Sequence, residues 1–488
     1  MSEQTIREER LRKLELLIKA GRDPYPASTN RTAPIGDILG SFEKRVAEVT
    51  SITIAGRVMA RRGQGGIIFT DLFDGTARMQ GVLQKTEMSE NEFDLFGDTV
   101  DSGDFISITG TLFTTKRGEK SVQVSAWAML SKSLLQIPDG WTGIQDPELR
   151  LRERYLDMLL NPELRGMIER RTRFWHTIRS FLIERGFLEV ETPVLETSPG
   201  GADARPFVTH HNALDMDVYL RISAGELWQK ILLVGGIPKV FEIARIFRNE
   251  GQSREHLQDY TQLEYYEAYS DYREGMTAVQ ALYRRIALDV YGRYEFAING
   301  HEVNFESEWP EIHFCTILKE KFGIDPLCCT EDEAIQAVHT AQIKIGETLN
   351  KTRAIDHLWK SVRKTIAGPA FLVGVPVYLE PLAKRSHDNK ELVERFQIVI
   401  AGSEVGKGFS ELNDPQDQRS RFEEQQAMRE AGDDEAQRLD EGYIRAMEYG
   451  MPPAFGFGVS ERLFAFLENK PVHETQLFPL LRPKDTQA

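Results

Sequence analysis

The sequence predicts an α+β chain in which a small N-terminal β-barrel precedes a larger domain built on a sheet flanked by helices. Three observations predict it. Between about residues 52 and 135 the chain breaks into short β-prone runs, SITIAGRVM, GIIFTDLFDG, ARMQGVL and DFISITGTLF, set apart by Gly and Asp turns. Beyond them, amphipathic helical patterns such as Arg170–Gly186 stand beside short apolar strands. At 488 residues the chain also exceeds what one hydrophobic core encloses, so two or three domains are expected. Composition is ordinary for a soluble protein, with 41% hydrophobic and 28% charged residues. No run approaches the roughly 18 apolar residues of a membrane span, and the charged N-terminus is not a signal peptide, so a cytosolic location is expected.

The elements follow in order. Leu11, Leu14, Leu17 and Ile18 recur at helical spacing until Gly21 and Asp23-Pro24-Tyr25-Pro26 stop the pattern, giving a helical arm over residues 1–50. The short strands of residues 51–135 suit an OB-fold, whose open face binds oligonucleotides. Within it, Phe69 and Gln80 fall on consecutive strands, where one can stack on a base and the other read a base edge, although a strand Phe also serves as core. Residues 136–165 carry Pro and Gly punctuation and read as a linker entering a helix. Phe187–Val194 reads as a strand carrying Pro193, and residues 312–370 as a helical insertion within a domain spanning 166–488. Cys315, Cys328 and Cys329 form no metal or disulfide pattern and read as small buried hydrophobes.

The net charge of −15, from 60 Lys+Arg against 75 Asp+Glu, argues against a protein that coats nucleic acid nonspecifically. Local basic clusters at Arg7, Arg10, Arg12, Lys13 and Lys19, at Arg57, Arg61 and Arg62, and at Lys116, Arg117 and Lys120 leave a local phosphate-backbone contact open.

Chemistry concentrates in Phe241–Tyr272, where Arg248-Asn249-Glu250 stands between two apolar, aromatic-rich segments. Arg248 can offer a bidentate fork to a phosphate or carboxylate, Glu250 can accept from an amine, and Tyr260 can stack on a base. A surface ion pair has the same pattern. A second block, Gly456-Phe457-Gly458-Val459-Ser460-Glu461-Arg462-Leu463, ends a Gly-permissive run on another arginine that can reach a phosphate. GSEVGKG at Gly402–Gly408 is not a P-loop, since it has three residues before Gly-Lys and no following Ser or Thr. His210-His211 point to opposite faces of a strand and make no metal pair.

Together the two arginine blocks resemble motifs 2 and 3 of the class II aminoacyl-tRNA synthetases. SPGGADARPF at Ser198–Phe207, THHNALDMDVYLRIS, GFSELNDPQDQ at Gly408–Gln418, AGDDEA at Ala431–Ala436 and the arm ending in GRDPYP narrow the resemblance to the class II lysyl-tRNA synthetases, across the whole chain and in family order. That implies an antiparallel catalytic sheet of six or seven strands flanked by helices, an OB domain that reads the anticodon, and a homodimer. It also implies L-lysine, ATP and tRNA(Lys) as substrates, with Mg²⁺ as cofactor. Residue by residue, the resemblance implies that Arg248 holds the α-phosphate and the substrate carboxylate. Glu250, His256 and Tyr260 would meet the nucleotide, and Arg462 its terminal phosphate. Gly201 and Glu226 would meet the α-amino group. Glu264, Tyr266 and Glu411 would take the ε-ammonium, with Phe409 on the stem, Phe69 and Gln80 on the anticodon, and Glu404 on the metal. Independently of any family, an ammonium on an apolar stem calls for carboxylates at its far end and an aromatic wall, although such acids are also ordinary ion-paired residues.

The chain departs from the family pattern in places. Gln397 replaces a metal-binding glutamate, Lys407 an asparagine near the substrate, and Glu255 a loop arginine for the γ-phosphate. SAGELW is one residue longer than usual and lacks its proline, and motif 3 is one residue short. A non-catalytic tRNA-binding or regulatory paralogue therefore stays open, as does an aspartyl- or asparaginyl-tRNA synthetase. Three acids in the pocket oppose the last.

Overall fold

The computed structural model describes residues 2–138, 144–202, 204–251, 253–344, 349–430 and 438–483. The Ala431–Ala436 motif and Asp203 lie outside them. The chain forms two compact units that meet in sequence at Leu160 and Asn161.

In the first unit, the helix Glu3–Lys19 starts where the Ser2 hydroxyl accepts the Thr5 N–H at 3.2 Å. Strands β1 (Ser51–Gln64), β2 (Ile67–Phe73), β3 (Arg78–Gln84), β4 (Phe105–Thr114) and β5 (Lys120–Ser131) close a barrel in the order β1-β2-β3-β5-β4. Closure depends on β1, which pairs with β4 through its first half and with β2 through its second, and is bulged between Val58 and Ala60. Alternation sends Ile52, Ile54, Val58, Leu72, Ile106, Ile108, Val122 and Val124 inward. The helix Glu90–Thr99 covers one end, with Phe96 and Trp127 edge to face at 5.2 Å.

Part of the expected basic surface turns inward, while Arg7, Arg12, Lys19, Arg62, Lys116 and Arg117 stay exposed. Arg10 donates to the carbonyls of Ser102 and Ser133, Lys13 pairs with Asp101 at 2.6 Å, and Arg61 donates to the Gly97 and Val100 carbonyls. The segment expected as a linker also holds two short helices, Pro147–Arg152 and Arg154–Leu160. Asp146 caps the first of them, and Pro147 suits its opening turn.

In the second unit a long helix, Pro162–Glu184, opens at an Asn161 cap eight residues before the expected start. The expected strand over Phe187–Val194 shrinks to β6 (Leu188–Glu189): the Thr192 N–H donates to the Glu242 carboxylate at 3.1 Å instead of to a neighbouring strand, and Pro193 has no N–H to donate. Strands β7 (Leu195–Glu196), β8 (Val208–His211) and β9 (Met216–Leu220) make a small sheet in the order β7-β9-β8, and β12 (Glu295–Ile298) with β13 (His301–Asn304) forms a hairpin. The main sheet comprises β10 (Lys239–Phe247), β11 (Asp259–Ala268), β14 (Glu311–His313), β15 (Ala370–Val373), β16 (Arg395–Ile400), β17 (Ser403–Ser410), β18 (Ala454–Ser460) and β6. Its order is β14-β15-β16-β17-β18-β11-β10-β6. It has eight strands rather than six or seven: six antiparallel strands form the centre, and the short edges β14 and β6 pair in parallel. The expected helical insertion appears as Phe314–Phe322, Glu331–Thr340 and Lys351–Arg363 between β14 and β15. Of the three cysteines expected inside, Cys328 is exposed.

Period two decides what the sheet offers on each face. In β18, Phe455 and Phe457 point into an aromatic core with Tyr265 and Phe396, at centroid distances of 5.6 to 6.2 Å. Gly456 and Gly458 face the other way. Across the register, Gly456 lies between Tyr266 and Phe409, and Gly458 between Glu264 and Lys407. Two bare positions therefore run between two walls of side chains. A Cβ at 456 would stand 2.1 Å from Glu411 Oε1 and 2.5 Å from the Tyr266 ring. Gly456→Ala should accordingly lower stability by about 1–3 kcal/mol through overpacking, read from urea unfolding monitored by circular dichroism. An unchanged midpoint would show that Glu411 moves aside freely.

Candidate active site

A cleft of about 610 Å³ lies over these bare positions. Arg248, just after β10, and Arg462, just after β18, line it, as do Tyr260, Glu264 and Tyr266 of β11 and Phe409 of β17. Gly201 and Glu226 also line it. Gly201 is in the left-handed region at φ 83°, and a Cβ there would meet Glu226 Cβ and Ser223 Oγ at 2.7 Å. The structure thus brings most of the predicted catalytic-domain residues to one place. Glu250 and His256 sit on the exposed loop after β10 and are not among the lining residues; Gln258 donates to the Glu250 carbonyl, and Ser253 Oγ lies 2.7 Å from His256 Nδ1.

At the acidic end, the Glu264 carboxylate is buried and accepts from the Ala224 N–H at 3.0 Å, Gln262 Nε2 at 2.5 Å and the Tyr266 hydroxyl at 3.0 Å. Burial, with Glu226 nearby, outweighs these donors and pushes its pKa up to about 7. Glu411 is buried beneath Gly456. Burial holds its carboxyl above the ordinary range although the Lys230 ammonium pulls the other way. Lys230 escaped the sequence reading. Its Nζ is 2.7 Å from Glu226 Oε1 and 2.5 Å from Glu411 Oε2. The signal was present in Glu226-Leu227-Trp228-Gln229-Lys230, an acid and a base four apart on one helix face.

At the basic end, the Arg248 guanidinium lies 5.9 Å from the Tyr260 ring centroid and donates through Nε to the Ile222 carbonyl at 3.1 Å. Arg462 donates to Glu255 Oε2 at 2.5 Å, and Ser403 Oγ donates to the same carboxylate at 3.0 Å. Burial opposes ionisation of Glu255, but Arg462, Ser403 and Arg363 prevail and hold its carboxyl below the usual range. The sequence departure at 255 therefore has a local partner, an arginine predicted to hold phosphate.

Lys407 turns its ammonium to Glu380 Oε2 at 3.2 Å, so its charge is taken up beside the pocket. Gln397 accepts from Arg395. Glu404, the candidate metal ligand, accepts from Trp359 Nε1 at 2.6 Å and lies 2.8 Å from Arg363. No cluster of three His, Cys, Asp or Glu able to hold a metal occurs among the described residues. A single carboxylate already facing a guanidinium does not fit a protein-built Mg²⁺ site.

In the barrel, Phe69 is half-buried and opposes Val82, while Gln80 opposes Asp71, which places Phe69 and Gln80 as diagonal neighbours on one face. The Gln80 side-chain oxygen accepts from Ser121 Oγ at 3.2 Å. Phe69 lies opposite in pleat to the buried Ile68 and Leu72.

Comparison with known proteins agrees with both units. Residues 146–482 match the family of class II tRNA synthetases for D, K and N, and residues 52–130 match the OB-fold nucleic acid binding domain. The lysine–tRNA ligase of Roseiflexus sp. (strain RS-1) is 43% identical over 98% of this chain and 99% of its own length. That of Halalkalibacterium halodurans is 40% identical over 99% and 97%. That of Chloroflexus aurantiacus is 41% identical over 99% of both chains.

Glu255→Gln should tighten the binding of pyrophosphate by roughly tenfold, equivalent to about 1.4 kcal/mol, because an anion then meets Arg462 without an internal competitor. Isothermal titration reads this directly. Unchanged affinity would mean that Arg462 does not serve the anion end of the cleft.

Proposed function

The chain belongs to the class II aminoacyl-tRNA synthetases, in the lysine–tRNA ligase family, and from that premise we propose that it activates L-lysine with ATP and transfers the lysyl group to tRNA(Lys). One observation carries the substrate reading: a cleft with buried carboxylates and two aromatic side chains at one end and two arginines at the other. Such a site suits a molecule with an ammonium on an apolar stem and a carboxylate near a polyphosphate. Neither a non-catalytic paralogue nor an aspartate or asparagine ligase is favoured by relatives at 40–43% identity over nearly the full length. An acidic side chain would meet the carboxyl groups of Glu226 and Glu264, which line the cleft.

On this reading a carboxylate oxygen of lysine attacks the α-phosphorus of ATP, a P–O bond forms, and pyrophosphate leaves with the bonding electrons. Arg248 orients the carboxylate against the α-phosphate and, with Arg462, offsets the developing negative charge, so rate comes from positioning and charge stabilisation with no covalent enzyme intermediate. Tyr260 offers a ring to the adenine, with Glu250 and His256 on the adjacent loop. Gly201 and Glu226 meet the α-amino group. Mg²⁺ would enter with the nucleotide, and Glu404, the candidate ligand, would have to leave Arg363 to reach it. Phe69 and Gln80 read the anticodon. The proposed setting is cytoplasmic, and the proposed assembly is a homodimer. Support for the dimer comes from Leu188, Val194, Leu195 and Val208, exposed apolar side chains on and beside β6 to β8.

ATP–pyrophosphate exchange measured with each amino acid in turn should show dependence on lysine alone. Arg248→Ala should then slow that exchange at least a hundredfold, since losing such a donor costs on the order of 3 kcal/mol of transition-state stabilisation. Near-normal exchange by a folded variant would remove Arg248 from the chemistry. Phe69→Ala should weaken tRNA charging by about 1–3 kcal/mol of lost stacking and leave tRNA-independent exchange intact. A parallel loss of both reactions would instead mark Phe69 as a structural residue.

A further inference from the structure

Lys230 lies on the helix Glu226–Val234 with 1% of its surface exposed. A lysine so deeply buried must have its charge met, and two carboxylates meet it: Glu226 at 2.7 Å and Glu411 at 2.5 Å. Its Nζ is also 5.4 Å from the Phe409 ring centroid and 5.7 Å from that of Tyr266. These are the acids and aromatic walls that the proposed reading assigns to a substrate amine. Apart from the ion pair with Lys230, neither Glu411 oxygen has a hydrogen-bond partner among the described residues, and Glu411 does not line the cleft, whereas Glu226, Glu264, Tyr266 and Phe409 do. The acid at the far end of the pocket is therefore covered by an ammonium belonging to the chain itself.

We propose that Lys230 is a specificity residue of this site, a resident ammonium that holds Glu411 until a primary alkylammonium with a long enough stem takes that carboxylate over. The inference rests on the lysine reading above and extends it. Two ammonium groups cannot share one buried carboxylate without mutual repulsion, so the incoming amine must displace Lys230 toward Glu226. An amine whose stem stops short of Glu411 leaves the resident pair intact and gains only the repulsion. Length selection thus follows from competition for one carboxylate, in addition to the size of the cavity.

The test uses the full-length protein and the split between lysine and ATP kinetics. In Lys230→Met, a side chain of similar length fills the space without the charge. The Michaelis constant for lysine in ATP–pyrophosphate exchange should fall at least tenfold, with kcat and the Michaelis constant for ATP within twofold of wild type. n-Butylammonium, which carries only the stem and the charge, should inhibit competitively at a concentration at least tenfold lower than in wild type. A folded Lys230→Met with an unchanged or raised Michaelis constant for lysine overturns the proposal, because a purely structural residue can only impair binding when removed. Should that variant fail to fold, Lys230→Gln keeps a donor toward Glu226 without the cation, and the same outcomes apply. Failure of the lysine reading is distinct from these results. It shows in the wild-type protein, as exchange driven by another amino acid or by none.

Discussion

The cleft depends on the alternation of phenylalanine and glycine in β18. Phe455 and Phe457 anchor that strand in the aromatic core, so positions 456 and 458 must face the opposite side, and both are glycine. Any side chain at 456 would collide with Glu411 and Tyr266. The strand thereby serves as a smooth floor between β11 and β17, whose side chains form the walls. One pattern of residues fixes both the stability of the sheet and the shape of what lies above it.

Charge pairing then governs how the cleft is furnished. Buried charges must find partners, and here they find them within the chain at both ends: Lys230 for Glu226 and Glu411, and Glu255 for Arg462. Each internal partner has the sign of the substrate group proposed for that end. On the proposed reading, ligands gain affinity at these two points by exchanging with the internal pairs rather than by filling a charged void. Glu264 differs: its three donors are neutral, and burial, with Glu226 nearby, pushes its pKa up to about 7 despite them.

In the first unit the arm helix and the strands β1 to β4 were legible, because short strands with period-two burial leave a direct trace in sequence, whereas the short helices around them were not. The arginine blocks of the second unit were equally visible. Less visible were the fates of individual charges. Arg10, Lys13 and Arg61 looked like a basic surface, yet they are spent on carbonyls and Asp101 beside the barrel, and a count of charges along the chain cannot reveal this. The strand that the apolar residues of 187–194 had suggested is confined to the edge strand β6, and the other edge, β14, was too brief for any pattern to register.

Sequence by itself determined the barrel, the family and the arginine and carboxylate blocks that the fold draws on for the cleft, because periodicity, turn residues and motif spacing are local properties of the chain. Tertiary structure alone decided which of those side chains meet. Glu411 and Lys230 are 181 positions apart, and only the register of β17 against β18, with the helix Glu226–Val234 packed beside it, brings the carboxylate of one to the ammonium of the other. Contacts of that kind follow from the folding of distant strands into one sheet, and no window of neighbouring residues carries them.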